Sequence, residues 1–103
     1  MKFYHDLTSE DAENFVSKLR NHSIATFREK ARSAAWRKIP SAYLICDDDQ
    51  IFPVQGQEAM VDIVRQGGGE IVVEHVNASH SAHLSQPSAV VNFLRRAAGE
   101  KIA

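Results

Sequence analysis

Cysteine is almost missing from this sequence. Cys46 stands alone among 103 residues, which excludes an intramolecular disulfide and a thiolate zinc cluster and favours a reducing compartment. An excess of either charge is missing too. Twelve basic side chains face 13 acidic ones, for a net charge of −1, so there is no electrostatic footprint for nucleic acid or an anionic membrane surface. No apolar run approaches the roughly 20 residues that span a bilayer, and Met1-Lys2-Phe3-Tyr4-His5-Asp6 is not a signal peptide. Internal repeats and linker-like stretches are absent as well. The remainder, 44% apolar and 24% charged, is ordinary globular composition and excludes disorder. The expectation is at most one small cytoplasmic domain. A chain of this length buries only about 60–65% of its unfolded surface, so its stability demands a compact arrangement.

Periodicity supplies the elements. Thr8 to Arg20 reads as a helix: Thr8 can cap the Asp11 N–H, Glu10, Asp11 and Glu13 lie at the positive end of the dipole, and Ala12, Phe15, Val16 and Leu19 form one stripe. A second helical stretch is expected over Ser23 to Trp36, with a basic, solvated face. Ser41 to Cys46 is a continuous apolar run, as in a parallel strand covered on both faces. Pro53 suits the start of a helix whose buried face would be Ala59, Met60, Ile63 and Val64, and Gly67-Gly68-Gly69 would end it. Glu70 to His75 reads as a second strand and Val76 to Ser85 as a loop. The last helix opens at Gln86-Pro87, buries Val90, Val91 and Leu94, and closes at Gly99, with Arg95 and Arg96 near its negative end. The order helix-helix-strand-helix-strand-helix implies an α/β chain with two parallel strands and a right-handed crossover. Two such strands lack the neighbours they need, and an open edge invites another chain.

Two clusters could carry chemistry. Ligands bind beyond the carboxyl ends of parallel strands. Asp47, Asp48 and Asp49 follow the first strand there, and His80 and His83 follow the second. An acid beside an imidazole is the orienting half of a nucleophilic triad. The plainer alternative is a polar turn beside solvated histidines. A metal site built from His75, His80, His83 and the carboxylates matches no zinc spacing, and no cofactor is called for. Cys46 reads as packing, as do Tyr4, Trp36 and Phe52, although these three could line an apolar pocket. The triple glycine follows a helix and precedes a strand, the reverse of a phosphate loop.

Four ordered pieces are shared with a known family: Phe3-Tyr4-His5-Asp6-Leu7; Ala35-Trp36 with Ile39-Pro40-Ser41, Tyr43-Leu44 and Cys46; Asp49 with Pro53; and Ser79-His80-Ser81 with Leu84-Ser85 and Pro87. Together they resemble the C-terminal part of an α/β-hydrolase, in the small esterase and methylesterase-like branch. The resemblance implies that Asp49 is the triad acid and His80 the triad histidine. It also implies that residues 1–38 are the remnant of a cap, and that residues 39–103 are the last two strand-helix units of the core. Ser79 stands where many relatives carry Gly, and Ala82 and His83 stand where Pro-Phe is common.

The family's nucleophile is a serine in Gly-x-Ser-x-Gly, a motif this chain lacks. Carboxylic ester hydrolysis is therefore expected of a longer protein acting on a small ester. The 103 residues alone, without nucleophile and oxyanion donors, are expected to be inactive. The alternatives are a non-enzymatic interaction or dimerisation protein, a homo-oligomer, or half of a split enzyme whose N-terminal partner chain docks on the open sheet edges.

Overall fold

The structure, a computed structural model, describes residues 2–102. Met1 and Ala103, the outer limits of the two expected segments, lie outside the described residues. The first helix, α1, spans Ser9–Ser17, and Thr8 caps it as expected, its hydroxyl accepting the Asp11 N–H at 3.2 Å. The second expected helix is a correction. Only one turn, α2 (Ala25–Arg28), and a 3₁₀ turn at Ala35–Arg37 form, with Glu29 already extended. Short helices are marginal in water unless a face is packed. Here no face is packed, since Phe27 is 76% exposed and every residue from Ser17 to Ser33 lies at the surface.

Strand β1 (Ser41–Cys46), helix α3 (Val54–Gln66) and strand β2 (Ile71–Val76) follow, the strands pairing in parallel from Ser41↔Ile71 to Cys46↔Val76. A short helix α4 (Ala82–Ser85) interrupts what reads in the sequence as loop, and α5 (Pro87–Ala97) ends the order. Alternate strand residues face opposite sides. Ile45, Val73 and His75 line a cleft with Glu58, Val61 and Asp62 of α3, while Ala42, Val72 and Glu74 line one with Arg96 and Ala97 of α5. The sheet is thus the middle of three layers. Arg96 secures the α5 side with a two-pronged ion pair to Glu74, Nη2 at 2.6 Å from Oε1 and Nε at 3.2 Å from Oε2.

Both long helices turn differently from expectation. The buried face of α3 is Gln57, Val61 and Val64, with Ala59, Met60 and Ile63 exposed. On α5, Val90 is half-buried and Val91 and Leu94 point outward. The apolar residues of each helix wrap too far round it for spacing alone to select the packed side.

The triple glycine does more than stop α3. Gly68, at φ +83°, makes the left-handed turn, and the amides of Gly68 and Gly69 close back on the carbonyls of Arg65 (3.1 Å) and Val64 (2.9 Å). Trp36 lies across its neighbours: a Cβ on Gly69 would sit 2.7 Å from Val64 Cγ1 and 2.9 Å from Trp36 Cε3. Gly68→Ala meets no atom within 4 Å and pays only for the left-handed backbone, about 1 kcal/mol. Gly69→Ala must displace Val64 or the indole and is expected to cost at least twice as much. Urea denaturation of the two variants checks the order.

Much apolar surface stays open. A compact chain of 11.5 kDa exposes about 5,800 Å², whereas this one exposes 7807 Å². Val72, in the middle of β2, is 65% exposed, and among the described residues the outer edges of β1 and β2 have no strand partner. No described helix is long and apolar enough to cross a membrane.

Candidate active site

The loops after β1 and β2 meet at one rim, because backbone pairing continues past the strands. The Asp47 N–H donates to Val76 O at 3.0 Å and the Asp48 N–H to Ala78 O at 3.1 Å. The three consecutive aspartates then fan out, each to a different imidazole: Asp47 to His75 Nδ1 (2.7 Å), Asp48 to His5 Nε2 (2.9 Å) and Asp49 to His80 Nδ1 (2.9 Å). No group of three metal-ligating side chains comes together among the described residues, so the His75, His80, His83 alternative has no geometry.

Burial separates the three pairs. The side chains of Asp47 and Asp48 are open to solvent, while that of Asp49 is 6% exposed. Asp49 Oδ1 accepts the Ile51 N–H (2.8 Å) and the Phe52 N–H (3.0 Å), leaving Oδ2 for His80. Burial pushes the Asp49 carboxyl up. The Phe52 amide, His80 and the Ile51 amide together outweigh burial and hold it below the ordinary carboxylate range. The fold therefore favours the ionised form. Its stabilisation is fully present above the unfolded carboxyl value of about 3.9 and fades as pH falls through the lower folded value. Asp49→Asn should accordingly be less stable than the parent by a constant margin above about pH 5, a margin that shrinks in stronger acid. Chemical denaturation across a pH series measures it.

His80 is 38% exposed at its side chain, and with Nδ1 on Asp49 its Nε2 has no hydrogen-bond partner among the described residues. In the tautomer that donates to Asp49, Nε2 is a basic nitrogen open to a reactant. No serine of the His80 loop meets it: the Ser79 hydroxyl donates to Asp6 instead. His83 is exposed and makes no bond to the aspartates among the described residues. Burial, followed by the charges of Asp49, Asp47 and Asp6, raises the Cys46 thiol, so it remains protonated and offers no alternative nucleophile. Of the aromatics, Tyr4 packs on Phe3 and Phe15, Trp36 on the glycines, and Phe52 on Gly56.

Sequence reasoning missed Gln57. This buried amide accepts the Cys46 N–H (3.0 Å) and donates to the carbonyls of Cys46 (2.9 Å) and Phe52 (2.8 Å), clasping both ends of the loop that carries Asp49. Its one signal is position, since Gln57 heads the series Val61, Val64 at helical spacing. Asp6 was missed as well. Its carboxylate grips the Ser79 N–H (2.9 Å) and hydroxyl.

Residues 2–93 match the profile of the alpha/beta hydrolase family. The chain is similar to "Alpha/beta hydrolase nvfD" of Aspergillus novofumigatus, 36% identical over 99 residues, and to "Probable hydrolase R7" of Phoma sp., 30% identical over 95 residues. These alignments take in 96% and 91% of the chain but only 38% and 39% of those proteins. No solved structure matches.

Proposed function

Because the chain belongs to the alpha/beta hydrolase family, we propose that it carries the acid and the base of a serine-dependent ester hydrolase, Asp49 and His80. The observation that supports this most is the orientation of His80: Nδ1 is held by a buried, amide-clamped carboxylate, and Nε2 is free at the rim. The serine and oxyanion donors come from outside residues 1–103. On this reading residues 1–38 are the remnant of a cap, and residues 39–103 are the last two strand-helix units of the core. Serine oxygen attacks the ester carbonyl while its proton passes to His80 Nε2; the alkoxide leaves with that proton. Water then repeats the sequence on the acyl-serine, and Asp49 stabilises the imidazolium each time. The isolated 103 residues lack a nucleophile and turn over no ester.

A fluorophosphonate probe tests the reading. At its natural length the protein should be labelled on a serine, His80→Ala should abolish labelling, and residues 1–103 alone should remain unlabelled. Undiminished labelling of His80→Ala sinks the assignment.

A second reading rests on the outer edges of β1 and β2, which have no strand partner among the described residues. They support association with another chain, either a second copy or one that supplies the serine. Light scattering decides it: a folded monomer counts against association.

A further inference from the structure

The part of the molecule around His80 is a loop, yet it is better buried than either strand. Ala78, Ser79, Ser81 and Ala82 are all buried, and Ser79 is 0% exposed. Buried backbone must find partners within the protein. Up to Ala78 the acid loop provides them, through the amides of Asp47 and Asp48. At Ser79, immediately before His80, those ties end. The Ser79 N–H and hydroxyl go instead to the two oxygens of Asp6, 73 residues away in sequence. The preceding residue serves the other loop: His5 Nε2 lies 2.9 Å from Asp48 and its Nδ1 3.3 Å from Lys2 O. Both partners are acceptors, so the ring is best satisfied with a proton on each nitrogen. Phe3 completes the segment, its ring edge-on to His80 at 5.3 Å between centroids.

We infer that Phe3–Asp6 is a positioning bracket for the acid–base pair: His5 holds the loop of Asp49, Asp6 holds the loop of His80, and Phe3 backs the imidazole. None of the three needs to touch substrate. Their effect is to fix the distance and angle between a carboxylate and an imidazole carried on separate loops. The inference rests on the reading of Asp49 and His80 given above. The low-lying Asp6 carboxyl agrees with it: burial pushes it up, but the bonds from the Ser79 hydroxyl and amide outweigh that.

The test uses the protein at its natural length and reads the His80 Nδ1 proton by NMR, in the parent and in two variants. Asp6→Asn keeps the shape but removes the charge; Ser79→Ala keeps the amide bond and removes the hydroxyl one. In Asp6→Asn the proton should exchange with water at least about tenfold faster, and kcat should fall about 10- to 100-fold with KM within about twofold. Ser79→Ala should show the same change at about threefold. Exchange within about twofold of the parent in whichever variants fold overturns the inference. The readouts stay separable: if ester turnover survives Asp49→Asn, the hydrolase reading fails, whereas the bracket is judged by the His80 proton alone.

Discussion

His80→Ala is expected to lower kcat for the proposed ester hydrolysis by about 10⁶-fold in the protein at its natural length, and Asp49→Asn to lower it by about 10⁴-fold. The asymmetry follows from the two proposed roles. In that proposal His80 moves the proton itself, and nothing else within reach among the described residues can, since Cys46 is held as a thiol and His75 and His5 already serve Asp47 and Asp48. Asp49, in the same proposal, sets the tautomer. An amide in its place still receives the Ile51 and Phe52 N–H groups through its oxygen, so the loop keeps its shape. Its NH₂ then faces Nδ1 and selects the tautomer with the proton on Nε2, the nitrogen that must be free to accept one. Asp47→Asn is the control. Its carboxylate is solvated, its imidazole partner lies along β2, and turnover should stay within about threefold of the parent. Steady-state kinetics on a p-nitrophenyl ester measure all three. A His80→Ala loss smaller than about tenfold would remove the proton-transfer role.

The second large effect concerns stability. Gln57→Leu replaces a buried amide with an apolar side chain of similar size and orphans two backbone groups, the N–H of Cys46 and the C=O of Phe52, while the C=O of Cys46 keeps only the longer bond from the Asp49 N–H, at 3.3 Å. Each such orphan costs about 1–3 kcal/mol if it cannot reach water, and neighbours share part of that cost, so the sum should be about 3 kcal/mol. Denaturant unfolding reads it as a lower midpoint with an unchanged slope. A variant within about 0.5 kcal/mol of the parent would show that water reaches these groups. Cys46 and Phe52 are the two ends of the Asp49 loop, so turnover should fall with stability.

The parts of the fold legible in the sequence are those that short stretches decide for themselves. The Thr8 cap, the apolar run of β1 and the glycine stops after α3 and α5 are local chemistry, and each is found within a residue or two of its expected place. Because parallel strands bring their carboxyl ends together, the run Asp47–Asp49 could be expected beside the loop of His80 and His83, whereas the choice of Asp49 and His80 as the pair was implied only by the family resemblance. What could not be read depends on encounters between distant residues. Asp6 and Ser79 meet across the whole chain, and neither carries a local mark of its partner. The helix expected over Ser23 to Trp36 fails because periodicity shows that a helix could bury a face without showing that anything is present to cover it. The turned faces of α3 and α5 fail for a related reason: Gln57 looks like a surface residue until the carbonyls of Cys46 and Phe52 are placed beside it.

The stretch between Asp6 and Trp36 is fastened at opposite ends of the sheet. Asp6 and His5 hold one end at the rim where the strands finish, and Trp36 lies on Gly67 and Gly69, where β2 begins. Six residues of strand put those fastenings about 20 Å apart. Mechanically the stretch is a strap pinned twice, with slack between the pins. A flap hinged at one end swings and exposes everything beneath it. A strap with no loose end can only bow, lifting most at its middle, where α2 lies, and least at its ends, one of which carries the residues that touch His80 and Ser79.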